Sequence, residues 1–99
     1  MTTPVVRLRQ NYAAAFARYL IHRDEPALAA AYELGRSGLQ TGVSLLDVVL
    51  IHHEVVIEAL PGMDGPQELG RAAAAFLLEV LASFEMARRA FQDGPAPTG

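Results

Sequence analysis

The segment YELGRSGLQTGVSLLDVVLIHHE, at residues 32–54, determines the fold of this chain. It reads as the end of one helix, a tight turn at Thr41 and Gly42, and the start of a second helix capped by Ser44. Ser44 is followed three residues later by Asp47, which resembles a capping box that satisfies free backbone N–H groups at a helix start. The segment therefore predicts two consecutive helices.

The first of these helices contains two interior glycines, Gly35 and Gly38. A glycine inside a helix costs about 0.5–1 kcal/mol relative to alanine. We expect that the glycines let the backbone of another helix come close. The alternative is a local distortion near the end of the helix.

The same reasoning predicts four helices along the chain. Thr3 before Pro4 and Asp24 before Glu25 are helix-start signals, and Pro61 marks a helix end. Short connections between helices make neighbours antiparallel. The predicted helices cover residues 4–22, 25–40, 45–60 and 66–91, with a turn at residues 62–66. We predict an all-α domain, an antiparallel four-helix bundle at residues 1–92, and a disordered Pro/Gly-rich tail at residues 93–99.

The third helix has an unusually wide apolar surface. Its polar stripe consists of Asp47, Glu54 and Glu58, and Ile51 lies within that stripe. One neighbouring helix cannot bury the remainder, so this helix is predicted to be the centre of the bundle, the seam of a homodimer, or both. The predicted seam residues are Leu45, Val49, His52, His53, Val56 and Leu60. In the fourth helix, Phe84 and Phe91 lie one heptad apart and are predicted to be core residues.

Composition supports a second buried surface. The chain has 99 residues, and 52% of them are hydrophobic, which is more than so small a core readily hides. The net charge of −3, with arginine as the only basic side chain besides histidine, argues against non-specific binding of nucleic acid. Without cysteine there are no disulfides or thiolate metal sites. No signal peptide or membrane-spanning stretch is apparent, so we expect a cytoplasmic protein that binds no membrane.

No constellation of residues predicts catalysis, a cofactor or a metal site. The candidate ligands are His22, His52 and His53, but adjacent histidines on a helix point about 100° apart. The Glu-x-x-His pattern of di-iron bundles is absent. We expect His52 and His53 to be half-buried and hydrogen-bonded, and Asp47, Glu54 and Glu58 to face solvent. The chain is predicted not to be an enzyme.

Five motifs together resemble the N-terminal regulatory domain of RsbU-type serine phosphatases. They are YELGR at residues 32–36, GVSLLD at 42–47, HHE at 52–54, FLLE at 76–79 and FEM at 84–86. The resemblance implies a four-helix domain that dimerises and docks a switch kinase of the RsbT type. In that family, docking turns on a C-terminal metal-dependent phosphatase domain, which acts on an anti-sigma-factor antagonist and so releases a stress sigma factor.

The chain departs from the family pattern in two ways. Ser83 stands where a proline is expected, so the fourth helix should continue through it. No phosphatase domain is visible in these residues, so we expect either an excised regulatory domain or a stand-alone adaptor.

The predicted partner-binding surface consists of apolar residues that the core does not obviously claim. They are Val6, Ile21, Leu34, Ile51 and Met86. Two other functions stay open at this point. One is a small-molecule sensor that holds a ligand in the bundle near Tyr32, His52 and His53, and the other is a metal-binding bundle.

Overall fold

The computed structural model describes residues 3–62 and 65–92. Its described residues form four α-helices and a short 3₁₀ turn, without a strand. The elements are α1 Pro4–His22, α2 Glu25–Gln40, α3 Leu45–Ala59, the 3₁₀ turn Leu60–Gly62 and α4 Pro66–Gln92. The all-α prediction is confirmed, with helix bounds within one residue of those predicted. The predicted tail at residues 93–99 and part of the turn at residues 62–66 lie outside the described residues.

The first three helices begin where the capping side chains predicted them to begin. In each case a side-chain oxygen accepts a hydrogen bond from a backbone N–H three residues later, which satisfies one of the free donors of the first turn. The bonds are Thr3 to Val6 at 3.2 Å, Asp24 to Ala27 at 2.9 Å and Ser44 to Asp47 at 3.1 Å.

Two left-handed residues reverse the chain between helices. Arg23 ends α1 with φ 51°, and its N–H donates to the carbonyl of Tyr19. Gly42 follows α2 with φ 79°, a conformation that glycine adopts without steric cost. Because each connection is so short, α2 folds back along α1, and the chain turns again into α3.

α2 and α4 approach each other closely at Gly35. A Cβ atom on Gly35 would collide with the Ser83 hydroxyl and with the backbone carbonyl of Val80. Ser83 is buried, and its hydroxyl donates to that same carbonyl at 3.0 Å. Gly38 is different, since its nearest neighbour, a methyl group of Leu8, would lie at an ordinary 3.5 Å. The predicted close packing is therefore confirmed at Gly35.

The core joins all four helices around a group of aromatic rings. Tyr12 and Phe16 of α1 each pack edge-to-face on Phe76 of α4, with ring centroids 5.2 Å apart. Tyr12 and Phe16 also contact His52 of α3. Since α3 packs chiefly on α1, it lies at the side of the bundle, and the prediction of a central third helix is wrong.

Phe91 is not a core residue, and that prediction is wrong as well. Phe84 is buried, but Phe91 is 70% exposed. The reason is the length of α4, which has 27 residues against the 16 of α2, its main neighbour. Gly38 lies beside Phe84 only two residues before α2 ends, so the last turns of α4 extend past the helix that covers it.

Candidate protein-interaction surface

The inner face of α3 is a narrow stripe that packs on α1. Its buried residues are Val48, Ile51, His52 and Val55, a spacing of three and four that places them on one side of the helix. Ile51 is only 4% exposed, so the prediction that it belongs to a partner-binding surface is wrong. The polar stripe of α3 lies at the edge of the contact with α1. Ile51, which is within that stripe, therefore points into the core.

Two ion pairs join this polar edge to α1. The guanidinium of Arg9 donates from Nε to Glu54 at 3.0 Å and from Nη2 to Glu58 at 2.6 Å. The carboxylates are exposed, as predicted, but they also bind a neighbouring helix. Ion pairs so open to water add little stability. They place the polar edge of α3 against α1.

A buried hydrogen bond lies beside these ion pairs. The Tyr12 hydroxyl and Nδ1 of His52 are 2.6 Å apart, and both side chains are buried. The predicted hydrogen bond of His52 is confirmed, but the side chain is buried within its own chain. His52 is therefore not exposed in the way that the predicted dimer seam requires. His53, the next residue, is exposed.

Burial keeps both partners of this hydrogen bond neutral. It raises the pKa of the Tyr12 hydroxyl above its usual range, because the charged phenolate would lose its hydration. Burial also lowers the pKa of His52, and the neighbouring charge of His53 lowers it further. We assign the hydroxyl as the donor to an unprotonated Nδ1. That nitrogen is then occupied and cannot serve as a metal ligand.

The outer face of α3 is apolar and exposed. Leu46 is 69% exposed, Ile57 55% and Leu50 50%, and the three residues follow one another at helical spacing with His53 between them. Of the predicted seam, four residues lie on or beside this face and Val56 is half-buried. The four are Leu45, Val49, His53 and Leu60. We call the exposed residues Leu45, Leu46, Val49, Leu50, His53, Ile57 and Leu60 the α3 outer face.

The sequence prediction missed the centre of this face. Leu46, Leu50 and Ile57 were absent from the predicted seam, which was centred closer to His52. One feature of the sequence points to the centre of this face. Leu50 and Ile57 are one heptad apart and share a side of the helix away from Ile51. This spacing identifies the exposed side only when Ile51 is known to face inward.

The predicted partner-binding residues do not form one patch. Val6, Ile21 and Met86 are exposed, but Leu34 is 7% exposed because it packs in the core between α1 and α2. The prediction for Leu34 is therefore wrong. Ile21 is 15 residues from Val6 on the same helix, so about 22 Å separates them.

Val6 and Met86 lie at the same end of the molecule. Leu8, two residues after Val6, and Phe84, two residues before Met86, both lie within 4 Å of the position that a Cβ atom of Gly38 would occupy. Glu85 binds Arg88 at 2.6 Å and Arg89 at 3.4 Å, so the same stretch of α4 that contains Met86 also contains these ion pairs. We call Val6 and Met86 the apolar end.

The residues of the predicted ligand site are not brought together. Tyr32 lines a groove between α2 and α4 with Leu28, Glu25 and Glu79, whereas His52 packs against α1. Among the described residues, no three histidine or carboxylate side chains are placed to hold a metal ion. No described helix combines the length and hydropathy that a membrane span requires.

One comparison with known proteins identifies a relative. The family model described as phosphoserine phosphatase RsbU, N-terminal domain, matches residues 10–87. That range contains most of α1, all of α2 and α3, and α4 through the buried Phe84. No curated protein and no solved structure matches the chain.

Proposed function

Because the chain belongs to the family of RsbU N-terminal domains, we propose that it is a dimeric docking domain for a switch kinase of the RsbT type. Membership of the family indicates a regulatory role in partner-switching signalling. The proposal adds the two surfaces that such a role needs. One would hold a second copy of the chain, and the other would hold the kinase.

The observation that carries this proposal is the α3 outer face. Its large apolar side chains are about half exposed or more at Leu46, Leu50 and Ile57. A contiguous apolar patch on a small domain is a recognised feature of interaction sites. The wide apolar surface of the third helix is thus divided, with one stripe buried on α1 and the other facing outward.

A second copy of the chain is the occupant that fits this face. In a two-fold dimer the same patch meets itself, so a charged patch would repel its copy. The α3 outer face has no carboxylate or guanidinium at its centre. Glu54 and Glu58 are held by Arg9 at the edge that faces α1. Apart from His53 the face is apolar, so two copies can meet there without burying a carboxylate or a guanidinium.

We propose that the kinase binds at the apolar end. Val6 is 46% and Met86 57% exposed, and both residue types can be buried by a partner without a large desolvation cost. The charged groups of Glu85, Arg88 and Arg89 belong to the same stretch of α4 as Met86 and can form a polar rim. An apolar centre with a polar rim is the usual anatomy of a protein interface.

The experiment is capture of a purified RsbT-type switch kinase by immobilised domain. The variant Val6→Asp/Met86→Asp places two charges in the apolar end, and we expect it to lose most of the kinase that the wild type captures. Ile21→Asp is the control, since it places one such charge on an exposed residue at the other end of α1. Circular dichroism would show that all variants are helical.

Two results would count against the proposal. Capture of no kinase by the wild type would remove the partner class, and equal capture by both variants would move the docking surface away from the apolar end.

A further inference from the structure

α3 packs less extensively on the remainder of the molecule than the other three helices do. It packs chiefly on α1, through the stripe around Ile51 and His52. The polar links are the Arg9 ion pairs at the edge and the Tyr12–His52 hydrogen bond in the interior. By contrast, the α2 backbone at Gly35 packs directly against Ser83 and Val80 of α4. That contact does not depend on α3.

The surroundings of His52 offer no stabilisation for a positive charge. From α1 it meets the neutral hydroxyl of Tyr12 and the ring of Phe16. On its own helix, His53 is adjacent and Glu54 is already paired with Arg9, which also binds Glu58. The described residues that α2 and α4 bury include no titratable group. They are Ala27, Ala31, Leu34, Gly35 and Gly38 in α2, and Leu69, Ala72, Ala73, Phe76, Val80, Ser83 and Phe84 in α4.

Protonation would also disturb the hydrogen bond itself. A neutral Nδ1 accepts from the Tyr12 hydroxyl, but a protonated imidazole carries hydrogen on both nitrogens and can only donate. The hydroxyl would have to turn and become the acceptor while a charge appeared between aromatic rings. Opening the contact lets His52 reach water, where it takes up the proton freely.

We propose that the Tyr12–His52 contact is an acid-sensitive latch that keeps α3 on α1 and releases it on mild acidification, while α2 and α4 stay packed. The α3 outer face belongs to the helix that would move, so the latch would connect pH to the dimer surface. That last consequence rests on the proposed function, whereas the latch itself does not.

The direction and size of the effect follow from linkage. The pKa of His52 is lowered in the closed state, so its contribution to stability is present above the pKa of the open state and is lost as pH falls below it. An exposed histidine has a pKa of about 6.5. Acidification from about pH 7.5 to about pH 5.5 therefore shifts the equilibrium towards the open state, and the pKa of the open state sets an upper limit of about tenfold on that shift.

The test is amide hydrogen exchange, measured by mass spectrometry on peptides from each helix and corrected for the intrinsic effect of pH on exchange. In the wild type we expect protection of α3 to fall between about pH 7.5 and about pH 5.5, by at most about tenfold. Peptides from α2 and α4 should keep their protection. Loss of protection in all helices together, or in none, would overturn the latch.

Two variants identify the group that is responsible. His52→Asn keeps an acceptor oxygen near the position of Nδ1 but cannot be protonated, so it should remove the pH effect on α3. His53→Asn, on the exposed neighbour, should retain it. A pH effect that survives in His52→Asn would overturn the assignment.

Tyr12→Phe provides a second route if His52→Asn does not fold. It retains the histidine and the ring packing but removes the hydroxyl. Protection of α3 should then be lower than in the wild type already at about pH 7.5. Unchanged protection of α3 in this variant would show that the hydrogen bond does not stabilise the packing of α3 on α1.

Discussion

Gly35 lies where α2 crosses α4, and its missing side chain allows the two helices to touch. The space that a Cβ would need is filled by the carbonyl of Val80, which belongs to the α4 backbone and cannot rotate away. Ser83 lies in the same contact, at the position where the family resemblance implied a proline. The sequence could predict the close approach because interior glycine is costly, but it could not identify α4 as the neighbour.

Gly35→Ala is expected to destabilise the protein by about 1–3 kcal/mol through overpacking, despite the better helix propensity of alanine. Urea unfolding followed by circular dichroism measures the effect. Gly70→Ala is the control, because that helical glycine has nothing within 4 Å of its Cβ position. It should stabilise by about 0.5–1 kcal/mol. Equal, stabilising effects at both positions would show that Gly35 is merely tolerated.

The hydrogen bond between Tyr12 and His52 could not be predicted from the sequence. The two are 40 positions apart, and each pattern by itself indicates only an apolar helix face. Tyr12→Phe leaves a buried imidazole nitrogen without its partner, which costs about 1–3 kcal/mol.

Urea unfolding at about pH 7.5, where histidine is neutral, is the suitable measurement for Tyr12→Phe. Tyr19→Phe is its control, since within the part of the chain that the structure describes the Tyr19 hydroxyl makes no hydrogen bond to protein. A loss in Tyr12→Phe no greater than in Tyr19→Phe would contradict the role given to this hydrogen bond.

At the scale of the helix, local capping groups determine where a helix starts, whereas tertiary packing determines which of its faces is buried. The caps at Thr3, Asp24 and Ser44 are local, so the sequence predicted where the first three helices begin. Which side of α3 is buried depends on where α1 lies. Ile51 was therefore placed on the wrong side, although the apolar width of the helix was evident.

The end of α4 provides a test at this scale. Phe84 is 5% exposed and lies against α2, whereas Phe91, one heptad later, is 70% exposed. Phe84→Ala should cost about 3–5 kcal/mol because it leaves a cavity. Phe91→Ala should change stability by less than about 0.5 kcal/mol. Thermal or urea unfolding of the two variants gives the comparison, and similar losses would place Phe91 in a core contact.

At the scale of the whole molecule, one small domain carries apolar area that its own fold does not cover. The composition indicated this surplus, and the structure places much of it on the α3 outer face. The core needs only one stripe of α3. The apolar stripe that faces outward is therefore best explained if another molecule covers it. We propose that this molecule is a second copy of the same chain.

A charge in the centre of that face is expected to separate the proposed dimer without unfolding the monomer. Ile57→Asp adds a carboxylate at a residue that is 55% exposed, so the folded chain tolerates it but an apolar seam does not. Leu78→Asp is the control, because Leu78 is 69% exposed on α4, away from α3. Size-exclusion chromatography with light scattering compares the two. A dimer that persists in Ile57→Asp would move the seam elsewhere.

Sedimentation equilibrium of the wild type at micromolar concentrations tests the central claim most directly. A chain of 10.7 kDa whose α3 outer face is a dimer seam should sediment with twice its monomer mass and dissociate only on dilution. A monomer mass at every concentration would contradict the claim, and the α3 outer face would then lack the occupant on which the proposed function depends.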